Sequence, residues 1–176
     1  MKRHFGKWLA AAVLAVGCTT ITAGAFTDTT GHWAESAINK WSQEYGIIQG
    51  YDDGTFRPDN SITRGAFAGI LDRFLHFQET SPASTFSDTA GTYWEDAILK
   101  LHASGVYLGN QGKALSASTI TRQQAVAMIG RAFNIPLETT SVSYSDGSSI
   151  AEYALPYVAE FEAHGYLTDC TDGRFR

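Results

Sequence analysis

The 176-residue chain is poor in cysteine, in basic charge and in long apolar runs. It has two cysteines, Cys18 and Cys170. Cys18 falls in a segment read below as a removable leader, which leaves Cys170 alone. An internal disulfide and a cysteine-based metal cluster are therefore excluded from the processed chain. Lys and Arg number 13 against 18 Asp and Glu, a formal charge of −5. That balance argues against nucleic acid and against anionic membrane surfaces, both of which select basic patches. The apolar stretch Leu9 to Val16 is too short to span a bilayer, which takes about 20 apolar residues in a helix. Catalytic motifs are missing too. There is no nucleophile elbow, no His-Glu-x-x-His and no P-loop. His32, His76, His102 and His164 are scattered without ligand spacing. Asp52-Asp53-Gly54 opens like a calcium loop but lacks the rest of its spacing, and reads as a plain turn. Catalytic residues, a metal site and a cofactor are accordingly not expected.

What is present begins with an export signal. Lys2, Arg3 and Lys7 precede the apolar stretch, and Ala23-Gly24-Ala25 supplies small residues at the cleavage spacing. Cleavage is predicted after Ala25. A competing reading takes Leu14 to Cys18 as a lipoprotein processing site, although Ala15 stands where such sites usually carry Leu. Removing three cations and no acid takes the formal charge from −5 to −8. About 150 residues remain, enough for one domain with its own core.

The processed chain writes one pattern three times. Phe26-Thr27-Asp28 returns as Phe86-Ser87-Asp88 and as Tyr144-Ser145-Asp146. His32 to Ile38 opens a helical pattern, Thr92 to Ile98 repeats it sixty positions later, and Tyr153 to Val158 takes its place in the third copy. We divide the chain into unit one (26–77), unit two (86–135) and a partial unit three (144–176). In each first helix an apolar stripe is expected: Trp33, Ala37, Trp41 and Tyr45 with Ile38; Ala97, Ile98 and Leu101; Val158 and Phe161. Gly46, Gly105 and Gly165 follow these helices where a left-handed C-terminal cap belongs. Pro156 fits only a first helical turn. Gly50 to Pro58 is dense in turn residues and has a counterpart in Asp169 to Arg176. Second helices are predicted in units one and two. Their apolar faces are Ala66, Phe67, Ile70, Leu71, Phe74 and Leu75 in the first, and Ala125, Val126, Ile129, Ala132 and Phe133 in the second. Unit three ends at Arg176, before a second helix; were the chain a fragment, the first helix of unit three would have less to pack against.

Both second helices open on Ile-Thr-Arg, Ile62-Thr63-Arg64 and Ile120-Thr121-Arg122. Thr at the N-cap accepts a bond from an orphan amide. Gln124 lies three residues past Thr121 and completes a capping box; Ala66 cannot, so a weaker cap is expected in unit one. A cation in a first turn opposes the helix dipole at a cost of about 0.3–1 kcal/mol. Its recurrence has two readings. Free amides, a hydroxyl and a guanidinium can together hold a carboxylate or phosphate. Alternatively each arginine pairs with an Asp of a neighbouring unit. Trp33, Tyr93 and Trp94 sit at helix starts near Asp28 and Asp88, suited either to stacking on sugar rings or to core packing. Core packing is the reading preferred for Trp33 and Trp41.

Phe-x-Asp, His-Trp-Ala-Glu-x-Ala-Ile, Gly-Ile-Ile-x-Gly, Asp-Gly-Thr-Phe-Arg-Pro and Ile-Thr-Arg, in this order, resemble the S-layer homology domain. The resemblance covers unit one, unit two and the first half of unit three. It implies an all-α fold, a pseudo-threefold bundle of helix–loop–helix repeats with grooves between them and the third repeat truncated. It also implies a function, binding of secondary cell-wall polysaccharide through its anionic groups, often pyruvate ketals, so that the protein is held at the cell wall or S-layer. Neighbouring S-layer subunits are the other implied partners. In this family a Thr-Arg-Ala-Glu motif lines the groove. Carried over, it singles out Thr63, Arg64, Thr121 and Arg122, with Asp28, Trp33, Asp88 and Tyr93 as groove candidates. Neither copy keeps the motif's Glu: Ala66 and Gln124 stand there. The capped start in unit two favours Arg122 over Arg64 as the contact. A protein–protein module of the cell surface and a carbohydrate-active enzyme are the alternatives.

Overall fold

The computed structural model describes residues 26–167 and 172–175. The leader, its cleavage site, Cys18 and Cys170 lie outside the described residues. Those described fold as an all-α chain. The helices are α1 (Glu35–Asn39), continued by a π-helical turn (Lys40–Glu44), α2 (Arg64–Leu75), α3 (Glu95–Ala103), α4 (Arg122–Ala132) and α5 (Leu155–Ala163). Extended pairing among the described residues is limited to isolated bridges, one of which joins Thr63 to Thr119 across the units.

The same scaffold is built in each unit. The opening aspartate accepts the amides of the turn. Asp28 Oδ1 and Oδ2 take Phe56 N and Arg57 N at 2.8 and 2.7 Å. Asp88 takes Ala114 N and Leu115 N at 2.7 and 2.9 Å, and Asp146 takes Phe175 N at 2.7 Å. The clamp has a reason: Arg57 and Leu115 both sit at a φ of 57°, a left-handed conformation costly for residues with a Cβ. Two charge-assisted bonds hold the backbone there. Gly46, Gly105 and Gly165 end the first helices with φ of 65–71°, as the caps require.

Helices pack across units rather than within them. α2 lies against α3, and α4 against α5. Consequently α5 is well covered, with Val158, Ala159, Glu160 and Phe161 buried. α1 is the outlying one, and only Ile38 of it is buried. Its expected stripe does not face a core: Trp33 is 89 % exposed, Tyr45 54 % and Trp41 37 %, and Ala37 is exposed too. No second helix lies against α1 among the described residues. The core-packing reading of Trp33 is thereby overturned, and Trp41 is only partly covered, against Phe74 and Tyr45.

The second helices bury part of the faces expected, with Leu71 and Val126 in the core and Phe67, Ile129 and Ala132 packed against it, but each also buries glycines that were not expected. Gly65, Ala68, Gly69 and Leu71 are the buried residues of α2, and Val126, Ala127, Met128 and Gly130 those of α4. Phe74 and Phe133 are exposed. The indole of Trp94 lies in a notch made by Gly65 and Gly69, where an added Cβ would stand 2.4 and 2.5 Å from it. Tyr157 lies on Gly130 in the same way, at 2.3 Å. One core joins α2, α3 and Met128 around Ile98, Leu101, Val106 and Tyr107. A second joins α4 and α5 around Val126, Val158, Phe161 and Phe175. Ile129 packs against both.

Candidate functional site

The two Thr-Arg starts are capped differently. Thr121 accepts Gln124 N at 3.4 Å while Gln124 Oε1 accepts Thr121 N at 3.1 Å, which is the complete box expected. Thr63 accepts Ala66 N at 3.2 Å without the reciprocal bond. Unit two replaces what is missing. Arg64 N donates to Ser118 O and Gly65 N to Ser116 O, both at 2.9 Å. The first three amides of α2 are therefore taken, so a site built on free amides does not exist there. With the turn of unit two packed on the helix start, side chains rather than backbone amides are left to meet a ligand.

The Arg64 guanidinium reaches into unit two. Arg64 Nε donates to Ala114 O at 3.2 Å, and the group stands 4.9 Å from the centre of the Tyr107 ring. Tyr107 is fully buried and donates its hydroxyl to the same carbonyl at 2.7 Å. Burial pushes its phenol pKa up, against the pull of Arg64. Ala114 takes the clamp position held by Phe56 in unit one and Phe175 in unit three. Unit two thus compensates a small turn residue with a large one at position 107. Arg64 is half-buried and has no ion-pair partner among the described residues. The Asp-pairing reading of this arginine does not hold.

Arg64 lines a groove of about 440 Å³. Its walls are the turn of unit two (Asn110, Leu115, Ser118, Thr119), Gln124, Met128 and Arg131 of α4, and Tyr153 of unit three. We call it groove B. Arg131 donates to Val106 O at 3.4 Å and lies 5.3 Å from the Tyr157 ring centre. A corresponding groove A, about 550 Å³, lies one unit earlier. Asp52, Arg57 and Asn60 of the turn, Ala66, Ile70 and Arg73 of α2, and Tyr93 and Trp94 of unit two line it. Arg122 is elsewhere: its guanidinium stands 5.3 Å from the Phe175 ring centre, in unit three. Thr121 lines a small cleft of about 170 Å³ there, with Asp146 and Phe175.

The residues singled out by sequence are thus not brought to one place. Arg64 is in groove B and Tyr93 in groove A. Arg122 and Thr121 are at unit three, and Trp33 is exposed on unit one. Asp28 and Asp88 serve the turns, and their amide bonds hold both carboxyls below the usual range. For Asp28 the Phe56 amide leads; for Asp88 burial opposes the shift and the Ala114 and Leu115 amides outweigh it. Tyr153 was not among the residues singled out. Like Trp33 and Tyr93, it immediately precedes the N-cap of a first helix, and that register was the available signal. It is 47 % exposed; Tyr93 is 80 % exposed. Arg131 and Gln124 gave no signal of a groove position. Among the described residues no cluster of His, Cys, Asp and Glu is placed to hold a metal ion, and no helix is long and apolar enough to cross a membrane.

Residues 25–68 match the S-layer homology domain. Over 122 residues, 65 % of the chain, the sequence is 34 % identical to a cellulosome-anchoring protein of Acetivibrio thermocellus, of which it spans 27 %. Over 127 residues, 70 % of the chain, it is 34 % identical to outer membrane protein SlpA of Deinococcus radiodurans, spanning 11 % of that protein. It is 26 % identical over 140 residues, 76 % of the chain, to an amylopullulanase of Thermoanaerobacterium thermosulfurigenes, and spans 8 % of it. The chain therefore spans less than a third of each of these relatives.

Proposed function

We propose that this chain, which carries an S-layer homology domain at residues 25–68, is a non-catalytic anchoring module that holds an exported protein on the cell envelope by binding wall polysaccharide. The observation that carries this reading is Arg64. It is a half-buried guanidinium without an ion-pair partner, lining an open groove with the exposed ring of Tyr153. A guanidinium offers several donors to a carboxylate, such as a pyruvate ketal, and an aromatic face covers the apolar side of a sugar. Gln124 and Asn110 supply neutral hydrogen-bonding groups along the same wall. In this reading Asp28 and Asp88 shape the grooves without touching the ligand. Trp33, Tyr93, Thr63, Thr121 and Arg122 remain candidate contacts at other positions. The relatives named for cellulosome anchoring and for an outer membrane support envelope attachment. The units are read as S-layer homology repeats around a pseudo-threefold axis. Support comes from the recurring aspartate clamp and from the packing of each second helix on the next unit's first helix.

Co-sedimentation of the folded chain with purified wall polysaccharide from a Gram-positive-type envelope tests the proposal. Saturable binding is expected. A folded sample that stays in the supernatant at all polysaccharide concentrations overturns it.

A further inference from the structure

The aromatic rings of units one and three pair in one way, and those of unit two in another. In unit one the opening aromatic packs on the aromatic of the turn, Phe26 on Phe56 with 5.2 Å between ring centres. Unit three does the same, with Tyr144 on Phe175 at 5.5 Å. Arg122, from the second helix of unit two, stands over that turn ring. The turn of unit two offers only Ala114 at this place, and both contacts move. Phe86 packs edge-on against Tyr107 at 6.0 Å, and Arg64 stands over Tyr107. The matching residues of units one and three are Ile48 and Leu167, neither of them aromatic. Tyr107 thus takes over the place of the turn aromatic beneath the preceding unit's arginine, as well as its volume.

The tyrosine adds what a phenylalanine in the turn cannot. Its hydroxyl and Arg64 Nε donate to one acceptor, the Ala114 carbonyl, at 2.7 and 3.2 Å. A carbonyl oxygen has two lone pairs, and both are used. The guanidinium is thereby held at Nε by a bond and across one face by the negative face of the ring. Its Nη groups remain to meet whatever enters the groove. An arginine ordered before its ligand arrives loses less conformational entropy on binding. Resting on the reading of Arg64 as an anchoring contact, we infer that Tyr107 is a positioning residue for Arg64. Fully buried, it sets the attitude of the guanidinium and acts on ligand binding only through that arginine.

The experiment measures binding of the full chain to purified wall polysaccharide, alongside urea unfolding. The variants are Tyr107→Leu, which puts the unit-three residue at this place, and the same change combined with Arg64→Gln. Tyr107→Leu should lower stability and weaken binding about 3- to 10-fold, the range for one rotamer-rich side chain set free. In the Arg64→Gln background it should still lower stability but weaken binding no further. The conservative Tyr107→Phe, which keeps the ring, should recover most of the affinity that Tyr107→Leu loses. So should Tyr107→Leu combined with Ala114→Phe, which returns the ring to the turn. Equal loss of binding with and without the arginine, or full affinity in folded Tyr107→Leu, overturns the positioning role. Should Tyr107→Leu not fold, the NMR spectrum of the wild-type chain decides. Arg64 Nε–H is expected to be protected from exchange and the Arg64 δ protons to be shifted upfield by the ring; an unprotected, unshifted side chain overturns the proposal. Arg64→Gln that binds as well as wild type overturns Arg64 as the contact, and a wild-type chain that binds no polysaccharide overturns the anchoring reading itself.

Discussion

Gly65 is the position where packing and site geometry are most tightly joined, and Gly65→Ala is expected to destabilise the fold. In an unpacked helix the change would help, since Ala is about 1 kcal/mol better than Gly in a helix interior and somewhat less near its start. Here the new methyl would stand 2.4 Å from Cδ1, 2.7 Å from Cγ and 3.0 Å from Cβ of Trp94. These atoms are the root of the side chain and cannot swing aside without moving the α3 backbone. Overpacking of this kind costs about 1–3 kcal/mol. We expect a net loss of about 1–2 kcal/mol, a drop of roughly 2–8 °C in Tm for a domain of this size. Gly69→Ala provides the contrast. Its methyl meets Cζ3 and Cε3 at the far side of the indole, at 2.5 and 2.9 Å, where a small ring tilt gives relief. Because Gly69 is mid-helix, the propensity gain offsets most of that cost, so Gly69→Ala should be milder. Thermal unfolding followed by circular dichroism reads both. In the background Trp94→Ala the Gly65→Ala penalty should vanish, a coupling that a double-mutant cycle isolates. Stabilisation by Gly65→Ala alone, or an unchanged penalty without the indole, refutes the notch as the reason for the glycines.

Three further outcomes follow from single contacts. Tyr107→Phe removes the bond to Ala114 O but leaves that carbonyl its bond from Arg64, so the loss should stay near 1 kcal/mol in urea unfolding; a loss above 3 would mean that Tyr107 does more than compensate Ala114. The Asp28 and Asp88 carboxyls are held below their unfolded values, so they add stability above the ordinary aspartate pKa of about 4 and lose it as pH falls through the lower folded values. Stability should therefore drop on acidification below about pH 4, and Asp88→Asn should flatten that drop while lowering stability at pH 7. Gln124→Ala opens the capping box of α4 and should cost about 0.5–1 kcal/mol, measured by thermal unfolding; no change would show that Thr121 caps the helix alone.

The parts of the fold legible in the sequence were those written in local chemistry. The caps at Gly46, Gly105 and Gly165, the box at Thr121 and Gln124, and the helical character of each segment needed only spacing and residue type. Which face each helix buries was not legible in the same way. The apolar pattern found Leu71 and Val126 but passed over Gly65, Gly69 and Gly130, which are buried because they admit Trp94 and Tyr157. Unit one held a second surprise in its spacing. Ile38 to Gly46 is one residue longer than Ile98 to Gly105. The extra residue is absorbed as the π-helical turn Lys40–Glu44, with Tyr45 N donating to Lys40 O at 3.3 Å. Ile47 N consequently bonds Trp41 O, six residues back, where Val106 N bonds Leu101 O five back. The insertion was visible in the repeat alignment, but only the hydrogen bonds say how it is accommodated.

The candidate site was harder to read because its members come from different repeats. An alignment stacks Arg64 on Arg122 and Tyr93 on Tyr153, and so suggests that each unit carries its own arginine and aromatic. The fold pairs them otherwise. Groove B draws Arg64 from unit one, the turn and Gln124 from unit two, and Tyr153 from unit three. The physical cause is the packing of α2 against α3 and of α4 against α5, which offsets every element by one unit from its neighbour in sequence. The bonds from Arg64 N and Gly65 N to the unit-two turn fix the same offset at the helix start. A single helix–loop–helix unit therefore lacks the parts of a groove like B, however closely its motif is kept. Spacing within a repeat reports the caps, whereas the chemistry of this groove depends on three repeats folding together.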